Sequence, residues 1–486
     1  MMEKLNVRTR GSTMNRSLPL LGMRIWQLVM LLVVGSSVLV GAAGVVFKAE
    51  IVRALPAAEE AAAPPNGFSH FIENGIDSWK PMKLGLTIFR SSEGGRLYEA
   101  VRDFQLENNS LDGLLTQYAD AKKFQYPLTS LLPLELLEAI GISSIAQLNL
   151  LNLVFFVANL AGILYLCNLL FEQEAKKLPR AASMQLESGR LWISALFLVV
   201  AATYYPTYNA LGKGNIQVWI NCFFTFACIA WLSGRYFWVG LLVALAAAIK
   251  PQLGALLVWA VLWRQWAFCR GFLWAAVPLG IAALVHYGLH NNLAYLDLLS
   301  VISQHGERHF VNESVNGILH RLYEHGNGAL LWDKDDYAPY RPLVYALTLA
   351  SSLVFALIAF LPALFRRQEG PTIMDFVVAS ICITLGSPIV WLYHYGVLLP
   401  AFVIALSAVL REAASPARTR LLAMLGVSWL LCASYLPFAR LIYLSPWNII
   451  ANPRFFGALL LLFVLIHVGR VWRRRPVQAA GLSAPA

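Results

Sequence analysis

The chain has 486 residues, 58% of them hydrophobic and 13% charged, with a formal net charge of +11. A soluble protein carries about 25% charged residues, and apolar runs of roughly 18 residues or more recur along this chain, so a soluble globular domain is excluded in favour of a polytopic membrane protein. Lipid leaves unpaired backbone groups without partners, so the fold class is all-α. The positive charge gathers at one set of loop ends, a signal of topology rather than a footprint for nucleic acid.

In chain order, residues 1–22 hold Lys4, Arg8, Arg10 and Arg16 and read as a cytoplasmic tail. Residues 23–47 form an apolar segment with no small-residue cleavage site, hence an uncleaved first span. Residues 48–126 follow as a long extracytoplasmic loop, with a flexible turn at 56–66, and the longest polar stretch of the chain runs over 68–133. Residues 127–140 are too short to cross and read as re-entrant or interfacial. A span over 145–171 leads into a basic loop with Lys176, Lys177, Arg180 and Arg190. Further spans are predicted near 191–209, 215–233, 236–249, 252–267, 271–289, 341–365, 373–387, 394–410, 419–437 and 455–470. Arginine recurs at 264 and 270, at 366 and 367, from 411 to 420 and from 470 to 475, and these sites alternate so that all fall inside. The expectation is about 12 transmembrane helices, with 127–470 as the multi-helix domain and 471–486 as a cytoplasmic tail. The outer face then receives 48–126, 212–215, Lys250-Pro251, 290–340, 387–394 and 438–454. The six cysteines (167, 222, 228, 269, 382 and 432) lie in spans or at their ends, so no disulfide framework is expected.

Most of the unusual chemistry falls on that outer face. Asp77, in Asn74-Gly75-Ile76-Asp77-Ser78-Trp79, precedes an amphipathic piece over 80–90. Ile76 and Trp79 could tuck it against the membrane surface as a general base; the plainer reading is a solvated loop acid like Glu93, Asp103, Glu107, Asp112 or Asp120. Lys250 ends an apolar helix and either points at a lipid phosphate or snorkels to headgroups. His305 and His309 are four apart, and one helical face could present both to a metal, though no cysteine or second pair accompanies them. Otherwise this is a polar loop whose Arg308 and Arg321 meet anionic groups. Asn312-Glu313-Ser314 and Asn108-Asn109-Ser110 fit the glycosylation sequon. His394 could bond a sugar or a phosphate oxygen. Trp391, Tyr393 and Tyr395 could stack on sugars or belong to an interfacial aromatic belt. Arg440 and Arg454 run against the positive-inside rule and are candidates for gripping a phosphate. Glycine-rich phosphate loops are absent, so chemistry on cytosolic sugar nucleotides is not expected, and nothing demands a metal or cofactor.

Taken in order, these motifs resemble glycosyltransferase family 87 of the C superfamily, the polyprenol-phosphate-sugar-dependent enzymes that include phosphatidylinositol mannoside mannosyltransferases. The resemblance spans roughly residues 70–410. It rests on Asp77 at the start of the first loop, Gly94-Gly95-Arg96-Leu97-Tyr98, Tyr126-Pro127-Leu128 and Gly212-Lys213-Gly214-Asn215, then on Lys250-Pro251 after an alanine-rich helix end, Asn312-Glu313-Ser314 through Gly317 and Arg321, and Ser387-Pro388 through Trp391 and His394. Departures are the single proline after Tyr126, Glu313 where the family has glutamine, Lys213 within its turn, and a long linker before Asp77. The resemblance implies a GT-C type fold, Asp77 as catalytic base and His394 as a second catalytic residue, and an inverting transfer of a sugar, usually mannose, from a polyprenyl phosphate. Tyr126, Asn215, Lys250, Asn312, Arg321 and Trp391 are the expected substrate-binding residues, with Lys250 or Arg321 holding the donor phosphate. The expected partners are that donor, a glycolipid or polysaccharide acceptor and membrane lipids, at a multi-pass site in the inner (plasma) membrane facing the periplasm or cell exterior. The rival is a transporter or flippase of lipid-linked sugars; a polymerase or oligosaccharide ligase is a third reading.

Overall fold

The computed structural model describes residues 74–91, 96–99, 123–175, 194–323, 337–434, 442 and 446–474. The tail 1–22, the span 23–47, the turn at 56–66, Gly94-Gly95, the sequon at Asn108, the basic loop from Lys176 to Arg190 and Arg440 all lie outside the described residues. What is described is helical throughout, without a strand; one isolated bridge, Asn312 to Trp391, is the sole β pairing among these residues.

The helices, numbered in chain order, are α1 Trp79–Ser91, α2 Leu131–Ala139, α3 Ile145–Ala175, α4 Tyr205–Gly212, α5 Gln217–Leu232, α6 Tyr236–Ile249, α7 Ala255–Leu262, α8 Trp266–His305, α9 Val315–Tyr323, α10 Pro342–Phe365, α11 Ile373–Leu385, α12 Leu398–Leu410, α13 Pro416–Ala433 and α14 Pro453–Arg474. Among the described residues, five segments are long and apolar enough to cross a membrane: Ile145–Gln173, Trp266–His305, Pro342–Phe365, Leu392–Leu410 and Pro453–Arg470. Shorter apolar helices, such as Gln217–Leu232 and Ile373–Leu385, pack among them. Segment Leu392–Leu410 is mostly buried and forms the centre, whereas Pro342–Phe365 is mostly exposed, as a lipid-facing helix would be. Aromatic rings lock the interior. Trp231 of α5 stacks on Phe376 of α11 at 5.2 Å and meets Trp259 of α7 at 5.7 Å.

Two stretches depart from the sequence-based expectation. The span predicted over 191–209 is broken at Tyr204, an extended residue between helix at 194–202 and α4. Pro206 at the start of α4 lacks the amide a continuous helix needs. The helix predicted to stop near 289 instead runs on to His305, past a kink at Gly288 with φ 79° and ψ 159°. That region is difficult for other residues, and Gly288 lets α8 redirect its second half toward the cavity described below. The stretch 127–140 forms a 3-10 turn and the nine-residue α2, about 13 Å long and thus well short of a bilayer core.

On its polar side, α1 is tied to α2 by charge. Glu138 accepts from Lys83 Nζ at 3.0 Å and from Arg90 Nη2 at 2.9 Å, and Lys83 also donates to Ser143 O at 2.7 Å. Burial pushes the Glu138 carboxyl up, but the two cations outweigh it and hold the group below its ordinary value. A carboxyl depressed in the folded state contributes stability above its unfolded value, and that contribution fades as pH falls through the folded value. Glu138→Gln is therefore expected to melt below wild type near neutral pH by about 0.2–1 kcal/mol, with the gap closing below about pH 4. Thermal unfolding in detergent at pH 7 and pH 3.5 reads this, and an equal gap at both would mean the bridges do not stabilise.

Candidate active site

Asp77 sits in the tight turn 76–78 that opens α1 and is 2% exposed. Its position is set by bonds to three other elements. Asn149 on α3 accepts from Trp79 Nε1 at 2.9 Å and donates from Nδ2 to Asn74 O at 2.9 Å, gripping the turn on both sides of the acid. Asn74 Nδ2 donates to Gly212 O at 3.0 Å, and the Ile216 amide donates to Ser78 Oγ at 3.0 Å. The Tyr126 hydroxyl lies 2.7 Å from Ser78 Oγ and donates to Asp77 O at 3.3 Å. Burial pushes that phenol well up, and the Asp77 charge adds to it against the opposing bond to Ser78, so Tyr126 stays a protonated donor. Gly214 lets the two turns touch. Its φ is 61°, and a Cβ there would lie 2.1 Å from Asn74 O.

The acid faces a cavity of about 560 Å³ lined by Asp77, Tyr126, Asn215, Gln217, Lys250, Trp391, Tyr393 and His394, among others. Lys250 reaches it because α6 ends at Ile249. Lys250 itself is extended (φ −132°, ψ 92°), and Pro251 prevents the helix from continuing. Its Nζ donates to Gln217 Oε1 at 2.8 Å, and Gln217 in turn donates to Asn221 Oδ1 at 3.0 Å. The ammonium thus has a neutral partner and is matched by no carboxylate within ion-pair distance among the described residues. On the opposite wall, the Trp391 amide donates to His394 Nδ1 at 3.1 Å. An accepting Nδ1 leaves the neutral ring's proton on Nε2, which makes His394 a donor through that atom. Trp391 stacks on the imidazole at 6.1 Å and 18°, and its Nε1 is fixed by Glu307 Oε2 at 2.6 Å.

Six of the eight residues the sequence singled out, Asp77, Tyr126, Asn215, Lys250, Trp391 and His394, share this cavity. Asn312 and Arg321 are not among its lining residues; both are fully buried beneath it. Asn312 accepts from the Val390 amide at 2.8 Å and donates to Glu307 O at 2.8 Å and Pro388 O at 3.1 Å, so it braces the segment that carries Trp391. Its burial also closes that sequon to modification. Arg321 donates to the carbonyls of His309 and Asn312 at 3.0 Å and to the side chains of Asn448 and Asn452.

Arg454, a phosphate candidate by sequence, is instead 3% exposed and ion-paired to Glu313, with Nη2 on Ser434 O at 2.9 Å. Nor do His305 and His309 share a helical face, because α8 ends at His305 and Gly306 turns the chain away. His305 Nδ1 lies 2.9 Å from Ala338 O. Among the described residues no group of three or more His, Cys, Asp or Glu is placed to hold a metal. Sequence reasoning missed Asn149, Ser78 and Gln217. Asn149 carried a signal: it and Asn152 are fully buried asparagines in the apolar 31-residue α3, and polar groups at such positions have a task.

Two substitutions separate site from scaffold. Gly214→Ala is expected to leave the fold intact but lower turnover at least about tenfold, since the acid's turn must move to admit the methyl group; unchanged turnover would mean the contact does not position Asp77. Arg454→Met, which strands the Glu313 carboxylate, is expected to cost about 3–5 kcal/mol of stability. Were Arg454 instead a phosphate ligand, KM would rise and thermal stability would not change.

The family model for Glycosyltransferase family 87 matches residues 124–388, more than half of the chain. The matched stretch includes Tyr126, Asn215 and Lys250 and ends at the cavity-lining Pro388. No curated protein and no solved structure matches the chain. All-helical over the described residues, with five segments among them fit to span a bilayer, this chain belongs to glycosyltransferase family 87 and is a membrane glycosyltransferase.

Proposed function

We propose that the chain transfers a sugar, mannose by the resemblance of its motifs, from a polyprenyl phosphate to a hydroxyl of a glycolipid or polysaccharide on the extracytoplasmic face of the membrane. The observation that carries this reading is that the Asp77 carboxylate and the Lys250 ammonium line the same cavity. The cavity is reached from the ends of α4, α6, α8 and α11, whereas Arg264, Arg366 and Arg411 lie at the opposite ends of neighbouring helices, as the positive-inside rule requires of an outward-facing site.

Asp77 takes the proton of the acceptor hydroxyl as its oxygen attacks the anomeric carbon. The bond from that carbon to the phosphate oxygen breaks, and its electron pair leaves with the polyprenyl phosphate. The phosphate is a stable anion and needs no strong acid; Lys250 neutralises it and His394 Nε2–H donates to an oxygen of the donor. Charge building at the anomeric carbon has oxocarbenium character, as in glycoside hydrolysis. Asp77 is the sole carboxylate among the described lining residues. A double displacement needs a nucleophile as well as an acid–base group, so a single displacement with inversion fits this lining. Enclosure also keeps out water, a competing acceptor.

The purified protein, given a radiolabelled polyprenyl-phosphate sugar and membrane glycolipid acceptors, is expected to transfer label. Asp77→Asn is expected to lower kcat by about 10²-fold or more while melting normally. Asp77→Asn turning over like wild type would remove the acid from its role. Translocation of lipid-linked sugar across vesicles, without transfer or hydrolysis, would favour a flippase instead.

A further inference from the structure

At the other end of the bundle, α10, α11 and α14 enclose a second cavity of about 330 Å³. It shares no lining residue with the catalytic one: α11 reaches the catalytic cavity through Cys382 and Ile383 near its C-terminus, and the second cavity through Met374, Asp375 and Val378 near its start. The walls are apolar, made by Leu357, Leu361 and Phe365 of α10, Met374 and Val378 of α11 and Leu465 of α14. The α11 and α14 residues are buried, whereas the three on α10 are exposed, so the cavity opens sideways onto a surface that a bilayer would cover. Gly469 of α14 keeps the floor open, and a Cβ there would lie 3.4 Å from Met374 Cβ. Two arginines close the polar end: Arg366, the residue after α10, and Arg470, near the end of α14. Among the described residues neither guanidinium has an ion pair or a hydrogen bond. The one carboxylate in the described lining, Asp375, is turned to its own helix, where Oδ2 accepts from the Thr372 amide at 2.7 Å and from its hydroxyl at 2.6 Å. Arg367, one residue on, is exposed and stands outside the lining.

We propose that this cavity holds an anionic glycerophospholipid of the leaflet at that end of the bundle, with its phosphate between Arg366 and Arg470 and the upper part of an acyl chain against the apolar wall. Two like charges facing one cavity repel each other and call for an anion. The guanidinium fork matches the oxygens of a phosphate bidentately. A soluble anion would answer the charge but leave the apolar wall bare, whereas an acyl chain covers that wall and leaves through the side opening into the bilayer. A zwitterionic lipid brings a cation of its own to the two arginines, so the site selects for net negative charge. Neither Asp77 nor Lys250 takes part, and the proposal stands apart from the transferase reading.

The test uses the whole protein in phosphatidylcholine vesicles containing a phosphatidylglycerol that bears a diazirine near the ester of one acyl chain, and maps the labelled peptides. Label is expected on the last turns of α10 and α14 and the first turns of α11. Arg366→Gln and Arg470→Gln are each expected to lower it about fivefold, and both together about thirtyfold, the factor that cations beside an anionic headgroup contribute. Arg367→Gln removes the same charge from the same loop but outside the lining, and is expected to label like wild type. Gly469→Leu keeps both arginines and fills the floor; a loss of at least about tenfold is expected, since each methylene kept from apolar contact costs about fourfold in binding. The arginine variants, at exposed and half-buried positions, carry the test if Gly469→Leu does not fold. A phosphatidylcholine bearing the same diazirine is expected to label these turns at least about tenfold less. Label elsewhere, label unchanged in the double arginine variant, an equal loss in Arg367→Gln, or equal labelling by the two lipids would overturn the site. Competition by glycerol phosphate would overturn the lipid as occupant in favour of a soluble anion.

Discussion

One amide carries much of the weight. Asn149 sits inside an apolar helix where lipid or packed side chains offer it nothing, so its two polar atoms must find partners in the protein. It finds them on either side of Asp77, at Trp79 and Asn74. That grip converts a loop acid into a buried one. Gly214 and Ile216 complete it from the neighbouring turn, so the turn that carries the carboxylate is held by α3, by the α4–α5 turn and by Tyr126 together.

The opposite wall is built by the same logic. Asn312 and Arg321 do not line the cavity: Asn312 bonds Pro388 O and the Val390 amide in the irregular segment that presents Trp391 and His394, and Arg321 satisfies the carbonyls of His309 and Asn312 in the loop that carries Asn312. Glu313 and Arg454 neutralise each other behind it, and Tyr395 reaches the Glu313 carbonyl at 2.6 Å. Irregular backbone at membrane depth is tolerable when such a polar framework supplies its hydrogen bonds. Helices interrupted at Tyr204, Lys250 and Ser387 are therefore the condition for having a polar site in an apolar bundle.

Fold class was legible from composition alone, because apolar runs of this length admit little but helices. The family order of short motifs pointed to Asp77, Lys250 and His394, and all three line one cavity. The roles of the buried Asn312, Arg321 and Arg454 were not legible. A conspicuous polar residue on the outer side of a membrane chain has the same sequence signature whether it faces a ligand or satisfies a carbonyl; only three-dimensional neighbours separate the two. The continuation of α8 to His305 was hidden by Asn291, Asn292 and Asp297, polar residues that suggest a loop. In the fold Asn291 Oδ1 accepts from the Leu97 amide at 2.9 Å, and its Nδ2 donates to Tyr287 O at 3.0 Å within the helix. Gln217 was missed because its partner, the Lys250 ammonium, lies 33 residues away in sequence.

The central claim is that one carboxylate, held in place and opposed by one lysine, performs a single displacement. The anomeric configuration of the transferred sugar tests it most directly. Product formed from a donor of known configuration and examined by NMR is expected to show inversion. Retention would require a second reacting group in the cavity and would contradict the account.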